Sequence, residues 1–267
     1  MVHLGDVELA VDIRGVGSPL VLIHGFAGDR HTWDGLWEAL SIGRRVVRYD
    51  LRDFGESLTV GDTPYRHADD LKRLLDRLGI GQCDVLGLSM GGGVAIDFAL
   101  RHPETVDRVL LVSPSLMGWD WSDSWRQQWD DIVELAKEGN MPAARRSWWQ
   151  HPLFETTRRN TVTAEQLWKS IEGYSGHHWS AIDRQELLAV PHLEQLHELA
   201  AKTLLVSGGL DLPEFLLMAD LIEATVPHLE RFDYPHAGHL VTLEFPQQLA
   251  SDVNAYLDRR PSLLTKS

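Results

Sequence analysis

Hydrophobic and polar positions fall into two rhythms along this chain, and the switches between them predict its elements. Residues 7–13 alternate apolar and polar after a turn at Gly5-Asp6, as a half-buried strand does. Short runs at 20–23, 45–49, 85–88, 106–112, 203–207 and 229–232 read as further strands, several of them apolar nearly throughout. Between them the spacing turns helical. Over 32–40, Trp33, Leu36, Trp37 and Leu40 share one face, and over 65–78, Leu71, Leu74, Leu75 and Leu78 do the same. Residues 94–100, 213–225 and 246–257 also read as helices, and Asp50 to Ser57 as a loop. Strands alternating with helices predict a mostly parallel sheet covered on both faces.

The rhythm breaks once. From about residue 116 to about 190 there is no clear buried strand, and this insertion of roughly 70 residues is well beyond ordinary loop length. It holds eight of the ten tryptophans, which marks it as compositionally distinct, and stretches such as 124–137 and 164–172 read as helices. Insertions after the carboxyl end of a strand sit over the site in open α/β sheets. The expected organisation is therefore an α/β core from 1–115 and 190–261, a helical cap from 116–189, and a flexible tail at 262–267.

Composition narrows the function classes. A hydrophobic content of 43% with 24% charged residues is that of a folded domain with a sizeable core. The formal net charge of -14, without basic runs, argues against nucleic acid or an anionic membrane surface as partner. It is also mildly unfavourable for strongly anionic substrates. The single cysteine, Cys83, rules out an intrachain disulfide and reads as a small core residue. The N-terminal segment lacks a basic stretch followed by an apolar one, and no apolar run approaches the length of a membrane span, so a cytoplasmic protein is expected. Oligomeric state stays open.

The chemistry centres on Gly87-Leu88-Ser89-Met90-Gly91, which a predicted strand enters and a predicted helix leaves. A serine hydroxyl is a weak nucleophile unless a neighbouring base activates it, and a sharp strand-to-helix turn supplies exposure. The following helix directs its N-terminal amides at the site. The candidate base is His239, in the loop after the last strand; His236, preceded by Pro235, reads as part of a turn. The candidate acid is Asp211, directly after the 203–207 strand. Asp211 before Pro213 is also a good helix cap, and the chain order Ser89, Asp211, His239 decides for the acid role. Glu214 and Asp233 are the fallback carboxylates. The backbone N–H groups of Phe26 and Met90 are the candidate oxyanion donors, and both side chains double as candidate pocket walls. His24, Gly25, Trp148, His178, Trp179 and Leu240 are candidate substrate-binding residues. Trp121, Trp125 and Trp129, spaced at i, i+4 and i+8, read mainly as packing between cap and core. The histidines show no zinc-ligand spacing and no dinucleotide glycine motif is present, so no metal and no cofactor are expected.

Five segments in order, His24-Gly25-Phe26, Asp50-x-Arg52-x-x-Gly55-x-Ser57, Gly87-x-Ser89-x-Gly91, Gly208-x-x-Asp211 and Gly238-His239, resemble the α/β-hydrolase fold family over nearly the whole chain. The resemblance is to capped, serine-nucleophile members: 3-oxoadipate enol-lactonase-like proteins, carboxylesterases and meta-cleavage C–C hydrolases. It implies an eight-stranded, mostly parallel sheet with an antiparallel first hairpin, a helical cap, and cleavage of a small carboxylic ester or lactone through a Ser-His-Asp triad. C–C bond hydrolysis or perhydrolysis with the same triad, and a non-catalytic ligand-binding or signalling role, are the alternatives. Two positions depart from the family's patterns. Asp53 stands where glycine is frequent, though aspartate tolerates a left-handed backbone better than most residues. Ser89 stands where epoxide hydrolases and haloalkane dehalogenases carry aspartate, which disfavours their chemistries.

Overall fold

The computed structural model describes residues 1–181 and 184–259. The expected tail at 262–267 lies outside the described residues. The strands are β1 (Val2–His3), β2 (Val7–Leu9), β3 (Val11–Arg14), β4 (Ser18–Ile23), β5 (Arg44–Tyr49), β6 (Leu58–Thr59), β7 (Cys83–Leu88), β8 (Val106–Val112), β9 (Lys202–Gly208) and β10 (Leu229–Tyr234). The main sheet has seven strands in the order β10-β9-β8-β7-β4-β5-β3, all parallel except β3, which runs antiparallel to β5.

The fold class is the one expected, with one strand fewer in the main sheet. The single strand predicted over 7–13 is two strands in two sheets. The Ala10 amide donates to Ser57 Oγ at 2.9 Å instead of to a strand partner, which interrupts the ladder. β2 then pairs with β1 and β6 in a separate three-stranded sheet, while β3 stays on the main one.

On the way to β8 the chain forms α1 (Asp34–Leu40), α2 (His67–Leu78) and α3 (Met90–Arg101). A short 3-10 turn, Arg30–Trp33, precedes α1, because Asp29 caps it by accepting the His31 amide at 2.7 Å. α2 begins two residues later than its apolar spacing predicts, since Tyr65 is held extended in a bridge to Gln185. Its leucine face is buried, and it ends at Gly79, whose φ of 67° is the left-handed conformation that suits a helix C-cap. The loop over 50–57 contains Asp53 at φ 63°, and its carboxylate accepts from the amide and the hydroxyl of Thr59. The aspartate is thus accommodated where the family frequently has glycine.

Between β8 and β9 the chain makes no strand among the described residues. It forms α4 (Asp123–Lys137), α5 (Met141–Gln150), α6 (Glu155–Arg158), α7 (Thr161–Gly173), α8 (His177–Ser180) and α9 (His192–Gln195). The core resumes with α10 (Pro213–Thr225), α11 (Val241–Glu244) and α12 (Pro246–Leu257). Because β4, β7, β8, β9 and β10 are parallel, their carboxyl ends share one edge of the sheet. β7 lies at the centre, where earlier strands fan out one way and later strands the other. A crevice forms at the carboxyl ends of strands at such a reversal.

Candidate active site

Every residue of β7 is buried, and the chain turns sharply at its end. Ser89 has φ 54°, a left-handed conformation for a residue with a side chain, at a cost of about 1–3 kcal/mol. Backbone packing fixes that turn. A Cβ on Gly87 would overlap the Gly91 carbonyl, and one on Gly91 would overlap the Ile23 carbonyl of β4. The Ser89 carbonyl accepts from the amides of Gly92, Gly93 and Ser115, and its own amide donates to Val112 of β8 at 2.9 Å. The serine is thus anchored on both sides while its hydroxyl stays available.

That hydroxyl lies 2.9 Å from His239 Nε2, and His239 Nδ1 lies 2.8 Å from Asp211 Oδ2. The three residues come from the ends of β7, β10 and β9. His239 is 2% exposed and Asp211 is 8% exposed, so their pair is shielded from water. The second Asp211 oxygen accepts the Leu212 amide at 2.7 Å; Leu212, not Asp211, is the N-cap of α10, so the helix-cap reading of Asp211 does not hold. Gly208 permits the approach of the two loops, since a Cβ there would strike the Gly238 carbonyl. The fallback carboxylates are engaged elsewhere: Glu214 accepts the Ser122 amide, and Asp233 pairs with Arg231. His236 is exposed.

A cavity of about 370 Å³ opens over Ser89 and His239. Of the candidate residues, Gly25, Phe26, Met90, Trp148 and Leu240 line it. Gly25 brings its segment close, for a Cβ there would stand 3.3 Å from that of Ser89. Met90 opens α3, where a helix amide has no partner four residues back.

Three of the predicted substrate-binding residues are placed elsewhere. His24 is fully buried, with Nδ1 on the Gly25 carbonyl at 2.8 Å and Nε2 accepting the Leu51 amide at 3.0 Å. It ties two loops together, and burial holds its pKa below the ordinary value, so the ring is neutral. Trp179 is 1% exposed and packs against Trp148 and Tyr174 inside the insertion. His178 stacks on Phe54 at 4.2 Å and meets the Tyr174 hydroxyl at 2.7 Å, away from the cavity over Ser89.

Residues read from sequence as packing, or not singled out, complete the walls. Trp121, Trp125 and Trp129 all face the cavity, with Leu153, Phe154 and Phe215. Helical spacing showed that the tryptophans share a side of α4 and its approach; it carried no information on what that side faces. Phe215 stands four residues after Asp211, and its ring centre is 4.3 Å from that of His239. Phe26 is the hub where insertion meets core, with ring centres of Trp129, Trp148 and Tyr174 within 5.6 Å. A second cavity of about 570 Å³ shares the Phe26, Trp148, Phe154 and Leu240 walls and extends between α7 and the 25–35 segment.

A family model described as alpha/beta hydrolase fold matches residues 18–246. The pimeloyl-[acyl-carrier protein] methyl ester esterase of Nitrosomonas europaea is 27% identical over 93% of this chain and 99% of that protein. The dihydrolipoyllysine-residue acetyltransferase component of the acetoin cleaving system of Pseudomonas putida is 28% identical over 90% of this chain, which spans 64% of that protein. Among solved structures, a malate-bound thermophilic esterase from Thermogutta terrifontis superposes with a TM-score of 0.79 at 28% identity, covering 96% of this chain and 95% of that one.

Proposed function

The chain belongs to the alpha/beta hydrolase fold family and is a hydrolase, and from that premise we propose that it cleaves a small carboxylic ester or lactone with Ser89 as nucleophile, His239 as base and Asp211 as orienter. The observation that carries this reading is the unbroken hydrogen-bonded series from Asp211 through His239 to Ser89, opening into a cavity. Ser89 Oγ attacks the carbonyl carbon as its proton passes to His239 Nε2. Asp211, beside Nδ1–H, holds the tautomer and stabilises the imidazolium. The Phe26 and Met90 amides hold the oxyanion, and one such donor is worth roughly 3–4 kcal/mol. His239 then returns the proton to the leaving oxygen, which departs as an alcohol or, from a lactone, stays tethered to the acyl group. Water attacks the acyl-enzyme with His239 again as base, releasing the acid and restoring Ser89. Residues 116–189 serve as the cap, contributing four tryptophans to the cavity: Trp121, Trp125, Trp129 and Trp148.

The test is a panel of aryl esters, simple lactones and a vinylogous diketone, run on the wild type and on Ser89→Ala. Ester or lactone turnover that Ser89→Ala abolishes is expected. Diketone cleavage faster than every ester would move the protein to C–C hydrolysis, and no turnover of any member would leave a binding role.

A further inference from the structure

We infer that the substrate is a neutral ester or lactone with an aromatic or similarly flat apolar group, and that carboxylate-bearing analogues are rejected; this rests on the ester-hydrolase reading above. The cavity over Ser89 is walled by Phe26, Trp121, Trp125, Trp129, Phe154 and Phe215. Flat apolar groups pack well against such rings in offset-stacked or edge-on arrangements. Among the described residues, an anionic group would find no unpaired arginine or lysine on those walls. The one cationic side chain on the walls, Arg126, is exposed at the rim and already paired with Asp120 at 2.8 Å and Asp123 at 3.5 Å. Asp130 stands beside it on the same rim. Two other basic groups of the insertion are engaged by backbone carbonyls: Arg145 donates to Tyr174, and Arg158 to Trp149 and His151. His151 packs on Trp125 and Trp148, but burial pushes its pKa down to about 4, so it is uncharged near neutrality. Lys169 lines only the adjoining cavity, as do Asp29 and Asp34, and not the walls over Ser89. The net charge of -14 repels anions at long range as well.

Two matched pairs test this whichever half of the ester enters the aromatic cavity: methyl 3-phenylpropanoate and benzyl acetate, each against its para-carboxylated form. The neutral member of at least one pair should exceed its carboxylate by about 100-fold in kcat/KM, since an unpaired buried carboxylate is strongly disfavoured. Equal or faster turnover of the carboxylates would overturn the substrate class while leaving the hydrolase reading in place. Turnover of none of the four would overturn both.

A separate observation carries a second proposal: the geometry points to Glu244 as a positioning residue that couples the histidine loop to the insertion. One Glu244 oxygen accepts the Gly238 amide at 2.7 Å, immediately before His239, and the other accepts the Thr157 hydroxyl of α6 at 2.5 Å. The contact is close-packed, because a Cβ on Gly238 would stand 2.7 Å from Thr156 Cβ. Thr163 of α7 extends the link by donating to the Thr157 carbonyl at 2.5 Å. Glutamine keeps an acceptor for Gly238 and a donor for Thr157, so Glu244→Gln should stay near wild type. Glu244→Leu should lower kcat about 10- to 100-fold, the scale of a small misplacement of a reacting group. Thr157→Val, a milder change that spares the Gly238 bond, should raise KM with kcat retained. Wild-type kinetics in both Glu244→Leu and Thr157→Val, or Glu244→Gln as damaged as Glu244→Leu, would overturn the coupling.

Discussion

The edge of the sheet around Ser89 and the helical insertion above it are built on different principles. At the sheet edge, main-chain atoms govern. Gly87, Gly91 and Gly208 are small because carbonyl groups occupy the space a Cβ would need, and Ser89 holds a left-handed φ of 54°. In the insertion, side chains govern: aromatic rings meet Phe26 and cover the cavity. The contrast separates the two halves of the function. On the proposed reading, bond-breaking chemistry rests on backbone geometry, and the choice of substrate on side chains that can be exchanged with the chemistry left standing.

If that division is right, damage on the two sides should look different. The largest effect is expected below the cavity. Asp211→Asn should fold normally and lose about 10³- to 10⁴-fold in kcat, because the imidazole loses its orienting carboxylate. Steady-state kinetics beside a thermal melt would check this, and a near-normal kcat would transfer the role to another group. Above the cavity, Trp125→Ala should cost about 10-fold or more in kcat/KM for an aromatic ester, by lost apolar contact. It should leave the acetate ester of a small alcohol almost unchanged. Equal losses on both substrates would erase the distinction between the regions.

A smaller effect sharpens the comparison from the supporting core. His67 is buried, with neither ring nitrogen hydrogen-bonded among the described residues, and burial pushes its pKa from 6.5 down to about 3. The unfolded chain takes up that proton below 6.5 and the folded chain only below about 3. Stability is therefore unaffected by this group above 6.5 and is lost as pH falls through the window. Between pH 6.5 and 4.5 the loss is about 2 kcal/mol. His67→Leu should reduce the fall in melting temperature over that range relative to the wild type, whatever its own stability at pH 7. An unchanged or larger fall would contradict the assignment.

The same contrast explains what the sequence made legible. That Ser89, Asp211 and His239 meet is legible in the chain because each follows a predictable strand, and parallel strands bring those ends to one edge. The split of the first strand could not be found locally, since Ser57, 47 residues away, takes the Ala10 amide. His24 departs from its expected place for a related reason: a histidine after a strand at that edge has the same local pattern whether it faces a ligand or, as here, joins Gly25 to Leu51. Trp121, Trp125 and Trp129 read as packing because periodicity tells which residues share a side, and the partner of that side is a tertiary property. Trp179, expected at the pocket, is the reverse case.

The measurement that bears most directly on this account is covalent labelling with a fluorophosphonate, read by intact mass and peptide mapping on wild type and Ser89→Ala. Stoichiometric modification of the wild type at Ser89, absent in Ser89→Ala and strongly slowed in His239→Ala, is the predicted result. Equal labelling of wild type and Ser89→Ala, or labelling at another serine, would contradict the assignment of Ser89 as nucleophile.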